Sequence, residues 1–148
     1  MKRAIALGAF AWLLLAGVAG ATSGSGVTPT TLAVGTSALR IDANAKPGLD
    51  VVVQDIVWAR GAFTGWHSHP GVVIVVVKSG SLTVYRSDDG RCKGKVYSAG
   101  QTFAEYPTQV LNTRNEGSVA AEAIATFTGV PTGGSTRIDQ PSPGTCPF

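Results

Sequence analysis

The chain has 148 residues, of which 44% are hydrophobic and only 14% are charged, and it contains 19 glycines. This length is that of a single domain, and the low charge excludes a chain that is kept disordered by its net charge. Basic residues are scattered, apart from a short cluster at 91–95 in a predicted turn, so we expect no nucleic-acid partner.

The first 21 residues have the parts of a secretory signal peptide. Lys2 and Arg3 begin it, an apolar run follows over 4–18, and the small residues at 19–21 match a cleavage site. We therefore expect a secreted, periplasmic or cell-envelope protein with no stable membrane anchor after cleavage. The alternative is an uncleaved anchor, although the run is shorter than the ~20 residues that span a bilayer comfortably. Cleavage would leave 10 of the 12 basic residues against 9 acidic ones, a net charge of +1.

The rest of the chain predicts short strands separated by turns. Residues 22–37 are rich in Thr, Ser and Gly and predict a flexible leader, 38–130 a folded β-domain, and 131–148 an irregular tail. Within the domain we predict strands at 38–42, 49–58, 67–77, 82–86, 95–98, 101–105, 110–115 and 120–127. Strands at this spacing with turn signals between them are typical of an all-β sandwich or barrel.

Two cysteines, Cys92 and Cys146, lie in a predicted loop and in the tail. Export would place them in an oxidising compartment, where a disulfide is the usual state. Such a bond would tie the tail back to the domain. The alternative is two free or intermolecular thiols.

The two histidines of the chain, His67 and His69, stand two residues apart. On a strand such residues share a face, so both imidazoles could reach one metal ion. A pair of this kind is common, and the residues around it are needed to interpret it.

The surrounding residues resemble the two sequence motifs of the cupin family. Gly61 is followed by five residues and then by the histidine pair, and Gly80 closes the first motif. The second motif is fitted by Gly100, Phe103, Pro107 and Asn115, with Pro107 displaced by one place. The resemblance covers about residues 51–127. It implies a single cupin jelly-roll β-barrel, a double-stranded antiparallel sandwich with an interior cavity. It also implies that a homodimer is possible.

The cupin metal site has three histidines and one glutamate, and this chain keeps two of the four. The glutamate position falls on Val73 and the third histidine position on Leu111. Two nearby side chains are candidate replacement ligands, Gln109 and Glu105. A site of two imidazoles and one oxygen would bind Zn, Ni or Cu loosely and Mn or Fe(II) more weakly. The alternative is that no metal binds.

By parity with the histidines, four apolar side chains are predicted to line the cavity: Val73, Val75, Phe103 and Leu111. Two function classes follow. One is a metal-dependent cupin, such as an oxygenase or isomerase. The other is a non-enzymatic, metal-free module that binds a small apolar ligand or a protein partner. The incomplete ligand set favours the second class and leaves enzymatic activity open.

Overall fold

The computed structural model describes residues 31–38, 40–42 and 48–148. The predicted signal peptide and most of the predicted leader lie outside the described residues. Within these ranges the chain forms strands and no helix. The described residues therefore contain no helix that is long and apolar enough to cross a membrane. In chain order the strands are β1 (Thr36–Ser37), β2 (Leu49–Trp58), β3 (His67–Ser68), β4 (Val72–Ser79), β5 (Ser81–Arg86), β6 (Lys95–Ser98), β7 (Gln101–Glu105), β8 (Leu111–Arg114), β9 (Ala121–Pro131) and β10 (Ile138–Asp139).

The strands form two five-stranded sheets. Sheet A has the order β1-β7-β4-β9-β2, and sheet B has the order β10-β3-β8-β5-β6. Neighbouring strands are antiparallel except β1 and β7, which are parallel. Apolar side chains of both sheets form one shared core, so the prediction of an all-β sandwich is confirmed.

The centre of sheet A shows why the long aliphatic run becomes a core strand. Alternate residues of β4 face inward, so Val73, Val75 and Val77 are almost completely buried. Their register partners on β9 are also buried: Phe127, Ala125 and Ala123. Burial of each valine stabilises the fold by roughly 1.5–3 kcal/mol.

The prediction of a single strand at 67–77 is wrong, because the chain passes from one sheet to the other within this range. β3 belongs to sheet B and β4 to sheet A, and Pro70 and Gly71 lie between them. Proline has no N–H for a strand ladder. Gly71 passes so close to β9 that a Cβ there would lie 1.6 Å from the carbonyl oxygen of Thr128. His67 is therefore in a strand, whereas His69 lies in the crossover between the sheets.

Smaller differences lie at the two ends of the domain. The strand predicted at 38–42 is absent from its described residues, where Tyr106 Oη donates to the carbonyl oxygen of Arg40 instead. The last two residues of the predicted flexible leader form β1, which pairs with β7. In the predicted irregular tail, two residues form β10 and pair with β3. The predicted domain limits of 38 and 130 themselves stay predictions.

The predicted disulfide between Cys92 and Cys146 is present, with a Cα–Cα distance of 5.2 Å. It joins the loop between β5 and β6 to the end of the tail, 54 residues later. Next to it, the ring of Phe148 packs 5.0 Å from Tyr85 and 4.1 Å from the guanidinium of Arg114. The tail is thus fastened to sheet B by a covalent bond and an aromatic contact.

We expect the Cys92→Ser/Cys146→Ser double variant to unfold at lower denaturant concentration than the oxidised wild type. For a loop of this length, the loss of unfolded-state restriction corresponds to about 3–4 kcal/mol. Urea titrations would measure the difference, and wild type under reducing conditions should match the double variant. Unchanged unfolding free energy, or two free thiols in the wild type by mass spectrometry, would contradict the assignment.

Candidate metal centre

His67 is held by β3 at the edge of the cavity between the sheets. Its backbone pairs with Leu111 of β8 on one side and with Asp139 of β10 on the other. The side chain is 5% exposed, and its Nδ1 lies 2.9 Å from the carbonyl oxygen of Gly65. A carbonyl oxygen only accepts, so Nδ1–H donates to it. Burial lowers the pKa of His67 and favours the neutral ring.

His69 is held between the tail and sheet A. Its Nδ1 donates to the carbonyl oxygen of Thr136 at 2.7 Å, and its ring lies 5.4 Å from that of Phe127. Its Nε2 is 2.9 Å from Oε2 of Glu105, and both side chains are almost fully buried. That contact is not aligned as a hydrogen bond, and Nε2 has no hydrogen-bond partner among the described residues.

The two histidines therefore share one arrangement, in which Nδ1 donates to a backbone carbonyl and Nε2 is the nitrogen that remains for a ligand. Histidines that bind metals usually donate their other ring N–H to a carbonyl or carboxylate, which fixes the ring and the tautomer. At His69 the Nε2 lone pair faces a carboxylate oxygen. Two acceptors at this separation need a shared proton or a cation, so the arrangement fits a bound metal ion.

Glu105 supplies the carboxylate from the strand next to the expected one. It ends β7, and its register partner on β4 is Val73, the residue at the glutamate position of the cupin motif. Register partners in an antiparallel pair point to the same face, with Cβ atoms ~4.5–5.5 Å apart. The carboxylate thus enters the same side of sheet A, displaced by one strand. Of the two replacement ligands predicted from the sequence, Glu105 lies at the histidines.

Ligand atoms of His67, His69 and Glu105 all lie within 4.8 Å of one another. Two ligands bound to one ion at about 2.1 Å can be at most ~4.2 Å apart, so small side-chain rotations would bring the set to an ion. Two imidazoles and one carboxylate are a common set for non-haem Fe(II) and for other divalent transition metals. The three residues present therefore fit such a metal.

Gln109, the other predicted ligand, is not at the site. Its side-chain oxygen accepts hydrogen bonds from the guanidinium of Arg86 and from the backbone N–H of Tyr106. The prediction assumed a regular strand through 109–111, but β8 begins at Leu111 and a turn precedes it, with Thr108 at φ 67°. Gln109 closes that turn and faces away from the histidines.

The cavity beside the histidines has a volume of about 160 Å³. Val73, Val75 and Phe103 line it as predicted, together with Phe127. Leu111 is completely buried in the core and is not among the residues that line this cavity.

Thr136 and Arg137 are among the cavity-lining residues that the sequence did not indicate. Both belong to the tail just before β10. Their position depends on pairing with β3, more than 60 residues earlier in the chain, and no local pattern marks it.

Comparison with solved structures identifies similar folds, while no family model and no curated protein matches the chain. A cupin-like protein from Thermotoga maritima is 21% identical with a TM-score of 0.54, covering 64% of this chain and 67% of that one. An RmlC-like cupin family protein from Methanocaldococcus jannaschii, described as a double-stranded β-helix, is 19% identical with a TM-score of 0.51, covering 56% and 73%. An oxalate oxidase in complex with glycolate is 27% identical over 53% of this chain with a TM-score of 0.47, and the match spans only 42% of that chain.

We expect the metal-free protein at pH 7 to contain His67 as the neutral Nδ1–H tautomer. The Gly65 carbonyl accepts from Nδ1, and burial opposes the charged ring. Nitrogen-15 NMR of the imidazole would measure this, with His67→Gln to assign the resonances. A ring protonated on Nε2, or a charged ring at this pH, would contradict the described arrangement.

Proposed function

Since the chain has the fold of the cupin superfamily, we propose that it is an exported cupin that holds one divalent transition metal through His67, His69 and Glu105. The observation that carries this proposal is the buried Nε2 of His69, which lies 2.9 Å from a carboxylate oxygen without an aligned hydrogen bond. A buried polar atom without a partner is unusual in native proteins and calls for an explanation. A metal ion would provide one.

The residues around the three ligands support this function. The carbonyl oxygens of Gly65 and Thr136 orient the two imidazoles, and the carboxylate of Glu105 would offset part of the charge of a dication. When bound, such an ion supplies Lewis acidity to an oxygen atom of a small molecule in the cavity. The apolar walls formed by Val75 and Phe103 would limit the access of water to that position.

A third ligand from the carboxylate of Glu105, and not from the amide oxygen of Gln109, also changes which metals suit the site. A site completed by Gln109 would prefer Zn, Ni or Cu and hold them loosely. A carboxylate is a harder and charged ligand, so Fe(II) and Mn(II) become suitable as well. The proposed cofactor is therefore one divalent ion from the set Zn, Ni, Cu, Mn and Fe.

We expect EDTA-treated wild type to take up one Zn²⁺ or Mn²⁺ per chain in titration calorimetry. His67→Ala and Glu105→Gln should each weaken binding by at least about 100-fold, because each removes a direct ligand, and loss of a supporting group alone costs ~10–100-fold.

Two variants serve as matched controls for this titration. Glu122→Gln removes a carboxylate that binds Lys78 on the outer face of β9, and Gln109→Ala removes an amide that hydrogen-bonds Arg86. Both should bind metal as the wild type does. A wild type that takes up neither ion, or a Glu122→Gln variant as weak as Glu105→Gln, would contradict the proposed centre.

Export rests on the N-terminal segment alone. We expect the full chain, expressed in a secreting host, to appear outside the cytoplasm with Thr22 as its first residue by N-terminal sequencing. Replacing the three leucines at 13–15 by glutamine should keep the precursor inside the cell, because it breaks the apolar run. A wild-type protein that remains uncleaved in the membrane would support the anchor alternative instead.

A further inference from the structure

The tail segment from Thr136 to Gln140 forms one wall of the metal centre. Its backbone pairs with β3, and the N–H of Gln140 donates to the carbonyl oxygen of Trp66 at 3.0 Å. The side-chain amide of Gln140 also donates to Oγ of Ser68 at 3.1 Å. These contacts hold the tail segment against the strand that carries His67, so Thr136 and Arg137 have a defined position at the cavity.

Arg137 is the basic residue among the described residues that line the cavity. Its Nε donates to Asp139 Oδ1 at 2.6 Å, and Asp139 is largely exposed to solvent. The two Nη groups have no hydrogen-bond partner among the described residues.

The charges of the cavity are not balanced once a metal is bound. Glu105 is the acidic group among the described residues that line it. A dication and the guanidinium of Arg137 carry three positive charges, whereas Glu105 and the Asp139 carboxylate that pairs with Arg137 carry two negative charges. A ligand with one negative charge would restore the balance.

The cavity volume and its remaining polar atoms restrict the size and chemistry of the ligand further. A volume of about 160 Å³ is close to that of cavities of ~150 Å³ that take up benzene, which indicates a ligand of about six non-hydrogen atoms. The apolar side chains that line the cavity include Val73, Val75, Phe103 and Phe127. Thr113 also lines it and is 3% exposed, and its hydroxyl has no hydrogen-bond partner among the described residues. The hydroxyl can donate to an oxygen of the ligand.

We propose that the cavity binds a small carboxylate with a short apolar body, whose carboxylate group is held by the Arg137 guanidinium beside the metal. The inference rests on the proposed metal centre. The planar guanidinium matches a carboxylate, and its two free Nη groups can donate to it. Arg137 is thus a specificity-determining residue, and the apolar walls accept the rest of the ligand.

The test uses the full mature chain loaded with Co²⁺ and titrated with butyrate, followed by the cobalt absorption spectrum and by calorimetry. We expect butyrate to bind and to alter the spectrum, and butyramide, which has a similar shape without the charge, to bind at least about 10-fold more weakly. Arg137→Gln should weaken butyrate binding at least about 10-fold and leave cobalt uptake unchanged, because it removes a charge-assisted contact and no metal ligand.

Controls separate this role from a structural one. Arg60→Gln removes an exposed arginine outside the cavity and should bind butyrate as the wild type does, while Arg137→Lys should lie between wild type and Arg137→Gln. Equal butyrate affinity in Arg137→Gln and wild type, or a parallel loss of cobalt and butyrate binding, overturns the inference and leaves the metal centre standing. A wild type that takes up no cobalt overturns both.

Discussion

The buried contact between His69 and Glu105 is the constraint on which the rest of the site depends. It joins the crossover that leaves sheet B to the last residue of a strand in sheet A, so it connects the two layers of the sandwich. A carboxylate that is 4% exposed needs compensation, and removal of one partner of a buried pair typically costs ~3–5 kcal/mol. The polar groups around it follow from this need: a backbone carbonyl fixes each imidazole, and apolar side chains close the remaining sides.

The fold and the two histidines could be predicted because their signals are local. Alternating burial, turn residues at short intervals and the glycines that flank the histidine pair can all be read along the chain. The sequence alone does not show that Glu105 lies closer to the histidines than Gln109 does, because this depends on the register between β4 and β7. The sequence contains a valine at the expected glutamate position, and only the pairing of Val73 with Glu105 shows that a carboxylate reaches the same face from the neighbouring strand.

The wrong predictions for Gln109 and for a single strand at 67–77 have a common physical cause, a departure from regular strand geometry at a turn. Gln109 was predicted to share a face with residue 111, but a left-handed residue at Thr108 ends that periodicity, and the amide satisfies the turn instead. Pro70 and Gly71 break the strand predicted at 67–77 in the same way. Both histidines line the same cavity although His69 is outside the strand, because the crossover turns its ring toward the cavity that His67 borders.

The tail links the site to the compartment in which the protein is proposed to work. The carbonyl oxygen of Thr136 orients His69, and the segment that carries it is held by pairing with β3 and, further along, by the disulfide at Cys146. A two-residue strand contributes few hydrogen bonds, so the covalent link restricts how far the tail can depart from the site. Disulfides persist in oxidising compartments and are rare in the cytosol. Under the proposals of export and of a metal centre, the imidazole that this tail orients would reach its position once the disulfide has closed outside the cytosol.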